Sequence, residues 1–128
     1  MTRDEVHELL HRFYHRDREP LLVRMGDDYV CHTPGSNPIA GAHRGRDGML
    51  AHVADMQERT GGTFRPHHLG AFITDGQWAL VPVHLRAERA GLTLDQPAFG
   101  IWRFHDGRVT DHWECPTDMA AFDAFWNA

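Results

Sequence analysis

Apolar residues recur at helical spacing in the first half of the chain and at strand spacing in the second. Val6, Leu9, Leu10 and Phe13 form one stripe of a helix, which Thr2-Arg3-Asp4-Glu5 opens as a capping box. Leu21, Leu22 and Met25 predict a second short helix after Pro20. "YVCHT", Tyr29 to Thr33, reads as a strand that runs into the turn-rich "PGSNPIAG". Asp47 is placed to cap a third helix, with Met49, Leu50, Val53 and Met56 on its apolar face and Gly61-Gly62 as its stop. From there the period changes to two. Strands are predicted over 63–74, 77–90, 92–105 and 108–115, joined by "TDG", "AGL" and "HDG". Thr117 or Asp118 then caps a last helix whose inner side carries Met119, Phe122, Phe125 and Trp126.

Helices followed by a meander of long strands is an α+β plan. Its natural form is a cone: a strongly curved, mainly antiparallel mixed sheet with helices over the concave face and a pocket between them. In 77–90 the odd positions Val81, Val83, Leu85 and Ala87 are apolar and face the helices, while His84 falls on the other side. In 92–105 both parities are apolar, Ala98, Gly100, Trp102 and Phe104 against Phe99 and Ile101. Both faces of that strand are therefore covered, one by the pocket and one by a second subunit. In "RVTDHWECPTD" Val109, Asp111, Trp113 and Cys115 share one face, and Thr110, His112, Glu114 and Pro116 share the other. Either the His112/Glu114 face meets water, or an acid and an imidazole line an interior space.

At 128 residues the chain makes one domain, spanning 1–128. A net charge of −5 argues against a nucleic-acid or anionic-membrane partner on electrostatic grounds, and neither is expected. No apolar run has membrane-span length and the N-terminus is not signal-like, so a cytoplasmic protein is expected. Cys31 and Cys115 lack metal spacing and are expected to be free thiols. The unusual count is eleven histidines. His7, His11 and His15 form one stripe of the first helix, and His7-Glu8-Leu9-Leu10-His11 has the H-E-x-x-H spelling, but the sequence supplies no obvious third ligand, carboxylate or thiol, to go with them. They read as a solvated flank, and no metal or cofactor is expected.

"VCHTPGSNPIAG", the long strands and "WRFHDGRVTDHWE" resemble the SnoaL-like and ketosteroid-isomerase-like branch of the nuclear transport factor 2 superfamily, over nearly the whole chain. The resemblance implies the cystatin-like α+β roll, a homodimer and a pocket for a small hydrophobic molecule. Laid on the isomerases, His32 takes the place of the proton-shuttling aspartate and Gly100 that of the protonated aspartic acid. Leu9 or Leu10 falls near the oxyanion-hole tyrosine, with Tyr14 a turn further on. Steroid isomerisation is therefore not expected. The SnoaL polyketide cyclases have a final strand similar to "HWE", whose acid acts as base from the cavity side, and that register turns His112 and Glu114 inward. The resemblance thus implies His32, Glu114 and His112 as catalytic groups. It places Phe64, His68, Val83, Leu85 and Trp102 along the substrate, with His67 pointing away.

The implied activity is cofactor-independent acid–base chemistry on a small carbonyl or polyketide-like compound: cyclisation, isomerisation, or dehydration of the kind similar to scytalone-dehydratase-like members. The alternatives are a ligand-binding or accessory protein without turnover, and a protein whose dimer surface is its function.

Overall fold

A computed structural model describes all 128 residues. The helices are α1 (Arg3–Tyr14), α2 (Glu19–Leu22), α3 (Gly45–Arg59) and α4 (Met119–Asn127). The strands are β1 (Met25–Thr33), β2 (Gly41–Arg44), β3 (Arg65–His68), β4 (Ile73–Thr74), β5 (Trp78–Arg89), β6 (Leu92–His105) and β7 (Arg108–Pro116). They form one curved open sheet in the order β2-β1-β7-β6-β5-β3, with β4 on β5. Only β1 and β7 run parallel, so the sheet is mixed and mainly antiparallel. The α+β roll read from the sequence is the fold observed.

The local signals act where they were expected. Thr2 and Glu5 close the capping box of α1. Ala90-Gly91 and Asp106-Gly107 take paired positive φ angles of 52° and 76°, and 50° and 75°, as tight two-residue hairpins with right-handed strand twist require. Asp118 caps α4 through Ala121 N at 3.0 Å. The G-S-N-P turn is pinned to α4, because Asp123 accepts from Ser36 N at 3.0 Å and from Asn37 Nδ2 at 2.7 Å.

Other boundaries moved. Asp47 lies inside the first turn of α3, whose N-cap is Arg44. The span 63–74 splits into β3 and β4, with Gly70 at φ 80° between them. Strand β2, hidden in the turn-rich stretch, pairs with β1 from Val30↔Arg44 to Thr33↔Gly41. Leu50 and Met119 are exposed rather than inward.

One irregularity decides what faces the interior. Between Arg103↔Asp111 and Phe104↔Val109 the β6–β7 register slips by a residue, leaving Thr110 unpaired as a bulge. Val109 is therefore buried beside Phe104 on the helix side. Beyond the bulge that side belongs to His112 and Glu114. An unbroken strand could not have put odd Val109 and even His112 on one face.

The core runs from Val6, Leu10 and Leu21 under the helices to Val81, Trp102 and Val109 on the sheet. It ends at α4, where fully buried Trp126 packs 5.9 Å from Phe64 and 5.0 Å from Phe125 between ring centroids. No helix is long and apolar enough to cross a membrane. Replacing Trp126 with Ala removes the aromatic that closes this end, and is expected to cost about 3–5 kcal/mol, measured by urea unfolding.

Candidate functional site

A cavity of about 510 Å³ opens between the sheet and helices α1 and α3. Met49, Val53, Met56, Phe64, Val83 and Leu85 make its apolar wall, and Phe122 of α4 reaches it from the end. Its polar floor comes from three strands and two helices.

Glu114 of β7 is the centre of that floor. Its Oε1 accepts from His52 Nε2 of α3 at 2.8 Å, Thr33 Oγ1 at 3.1 Å and Cys31 Sγ of β1 at 3.1 Å. Oε2 makes no hydrogen bond within the protein, and about 20 % of the side chain remains open. Burial by itself pushes this carboxyl up. The hydrogen bond and charge of His52, supported by His112 and Cys31, more than reverse that and bring it from 4.5 to about 2. Burial, and then the Glu114 charge, push the Cys31 thiol up, so it stays protonated and donates.

His52 is held by packing. His43 stacks on it at 3.8 Å between centroids and donates Nε2–H to the Ile39 carbonyl at 2.9 Å. His52 Nδ1 is buried without a partner. Its Nε2 donates to the carboxylate. Cys31, His52 and Glu114 offer sulfur, nitrogen and oxygen within 4.8 Å of one another. Hydrogen bonds already join the carboxylate to both other groups.

Beside this cluster His112 stacks on Trp102 at 3.7 Å and 8°. Burial pushes its imidazole down to about 4 against the pull of Glu114, so it is neutral near pH 7. Trp102 Nε1 donates to Tyr14 Oη at 3.1 Å. That leaves the phenol proton of Tyr14, which burial keeps in place by raising its pKa, free to donate into the cavity. Gly100 makes the room: a Cβ there would lie 2.5 Å from Tyr14 Oη and 3.3 Å from His112 Nε2.

Of the residues expected from sequence, Glu114, His112, Phe64, Val83 and Leu85 line the cavity. Three do not. His32 lies on the opposite face of the sheet, bonded to Asp111 at 3.0 Å and stacked on Trp113 at 4.9 Å. The parallel register pairs Cys31 with His112 and His32 with Trp113, so the inward residues of β1 are Cys31 and Thr33. The resemblance turns His32 inward; the register of β1 on β7 exchanges the two faces. His68 shares the concave side but turns to α1, 4.8 Å from His15 between centroids, and His67 stands at the cavity rim instead. Trp102 lies a layer deeper, behind Tyr14 and His112.

His52 was missed although it had a signal. Positions 49, 52, 53 and 56 fit a helical stripe better than 49, 50, 53 and 56, and reading them so makes it an inward polar residue. Tyr14 was marked by its place a turn beyond the oxyanion-hole position, in line with Val6 and Leu10 on α1, whereas Thr33 and Cys31 carried no comparable mark.

Both site titrations have folded pKa values below their unfolded ones. Each therefore contributes stability that is present at higher pH and is lost as pH falls, from 6.5 to about 4 for His112 and from 4.5 to about 2 for Glu114. Unfolding free energy is expected to decline below pH 6.5. His112→Asn should flatten the upper part of that decline by about 1 kcal/mol per pH unit, measured by urea unfolding between pH 4 and 7.

Comparison with known proteins places this geometry. The SnoaL-like domain model matches residues 6–112. An uncharacterized protein of Mycobacterium tuberculosis is 32% identical over 131 residues, covering 98% of this chain and 99% of its own. Bal32a, from a soil-derived mobile gene cassette, is 31% identical with a TM-score of 0.82, over 97% of this chain and 95% of that one. A protein with a cystatin-like fold from Xanthomonas campestris superposes with a TM-score of 0.84 at 24% identity, over 100% of both chains. The chain belongs to the SnoaL-like family, within the NTF2-like fold that also includes SnoaL-like polyketide cyclases.

Proposed function

We propose that the protein is a cofactor-independent acid–base enzyme acting on a small hydrophobic carbonyl or polyketide-like compound. The observation that carries this reading is the presence of an acceptor and a donor in the lining of one largely apolar cavity. Glu114 offers an unbonded Oε2, and Tyr14 a free phenol proton. A carbonyl oxygen accepting from Tyr14 would stabilise the enolate formed when a neighbouring C–H gives its proton to Glu114. His52 would hold the carboxylate in place and answer its change of charge, and neutral His112 would line the path of the returning proton.

A carboxylate brought down to about 2 is a weak base. Such a base suits a substrate C–H that is already acidic, flanked by a second activating group as in a β-dicarbonyl chain. That favours cyclisation or dehydration of such a chain over isomerisation of a simple ketone. Arg16 and Arg18, which have no acidic partner, and Arg65 stand at the rim and suit a ligand with an anionic or oxygen-rich end. The same low basicity supports a second reading, a binding protein in which Glu114 accepts a ligand hydroxyl without turnover.

Deuterium exchange at the benzylic carbon next to the ketone of 2-tetralone, followed by NMR, separates the two. Exchange accelerated by the protein is expected to fall by about 10²–10⁴ in Glu114→Gln and about 10² in Tyr14→Phe. His32→Ala should leave it unchanged. Binding without accelerated exchange would favour the binder, and loss in His32→Ala would overturn the site.

The outer face of the sheet supports the homodimer implied by the resemblance. Trp78, Phe99, Ile101 and Trp113 lie across β5, β6 and β7. Trp78 and Phe99 are exposed there, and the Trp78 and Trp113 rings stack at 5.8 Å. Sedimentation should give a dimer for the native chain and a monomer for Trp113→Glu. Both cysteines are free, as suits the reducing cytoplasm we assign it to.

A further inference from the structure

Three histidines outside the cavity lining meet where α1 ends, with His68 edge-on to Tyr14 at 6.4 Å between ring centroids. His11 belongs to the last turn of α1, His15 is its C-cap, and His68 is the last residue of β3. One ligating nitrogen from each lies within 4.8 Å of the other two. The helix alone shows only a solvated row of imidazoles; the third ligand arrives from a strand more than fifty residues away in sequence.

Hydrogen bonds fix the tautomers of two of the rings. His15 Nδ1 is 2.7 Å from the His11 carbonyl oxygen, and His68 Nδ1 is 3.1 Å from the Gly70 carbonyl oxygen. A carbonyl can only accept, so both Nδ1 atoms carry hydrogen and both Nε2 atoms of the neutral rings are bare lone pairs. Those two Nε2 atoms face each other at 3.4 Å. Two lone pairs at that separation repel unless a positive charge lies between them. Two nitrogens bound at 2.0–2.1 Å to one tetrahedral zinc ion stand about 3.3 Å apart, which is the spacing found. Donation of Nδ1–H to a backbone carbonyl is also the support that metal-bound histidines ordinarily have. The negative end of the α1 dipole lies at this point and favours a cation.

We propose that His11, His15 and His68 form a three-histidine site for zinc or a similar divalent transition ion. The fourth position is left to water, and the ion clips the end of α1 to β3. It lies outside the cavity, so it does not depend on the acid–base reading.

The test is titration of the metal-free native chain with Zn²⁺ by calorimetry and with Co²⁺ by visible absorption. One equivalent should bind, Co²⁺ should give the intense bands of four-coordination, and Zn²⁺ should raise the melting temperature. His15→Gln and His68→Gln should each weaken binding at least tenfold. The exposed His105→Gln should have no effect. Because His15 is exposed, its replacement leaves the fold intact and keeps the test meaningful should His68→Gln unfold the strand. Absence of saturable binding, equal binding by the double variant, or a proton shared by His15 and His68 in NMR with no response to metal would overturn the site.

Discussion

The bulge at Thr110 is the constraint on which the interior depends. A strand has period two, so a regular β7 that buried Val109 would have turned His112 and Glu114 toward the outer face. One unpaired residue lets the strand close the core beside Phe104 and then, two residues later, supply the cavity with its acid and imidazole. The partner strand follows: because β1 from Val30 onward runs parallel to β7 in one register, Cys31 and Thr33 are drawn to the Glu114 side, while His32 goes with Trp113 to the other.

A carboxylate in such a place needs compensation, since an unpaired buried charge is strongly unfavourable. Here the compensation is one-sided. Donors from β1 and α3 converge on a single oxygen, and groups that could add charge are kept neutral, His112 by the displacement of its proton and Cys31 by the retention of its own. Stability and chemistry thus share one arrangement. The contacts that make the buried charge tolerable also immobilise it and leave its second oxygen for a ligand.

How much of this was legible follows from the range of each signal. The capping box of α1, the Asp118 cap of α4, the Asp-Gly and Ala-Gly turns and the Val81/Val83/Leu85 alternation are local, and they specified helix starts, hairpins and the inward face of β5. The inward position of Glu114 came from resemblance, and the residues alone left its face open. The bulge was invisible because Thr110 is ordinary in a strand. The face of β1 was invisible because Tyr29, Val30 and Cys31 are buried in succession, so no alternation survives there. His52 could have been found from helical spacing, but what it touches depends on packing between α3 and β7, which no local pattern records.

The Cys31 thiol has a consequence of its own. Alkylating reagents attack thiolates, and this sulfur is both sealed from solvent and unable to shed its proton while it faces Glu114. Its labelling is therefore silent in the closed molecule and proceeds only in moments when the floor around Glu114 opens. Cys115, half-buried one residue beyond Glu114, answers on a different clock. The chain carries a native pair of chemical timers for the breathing of its own floor.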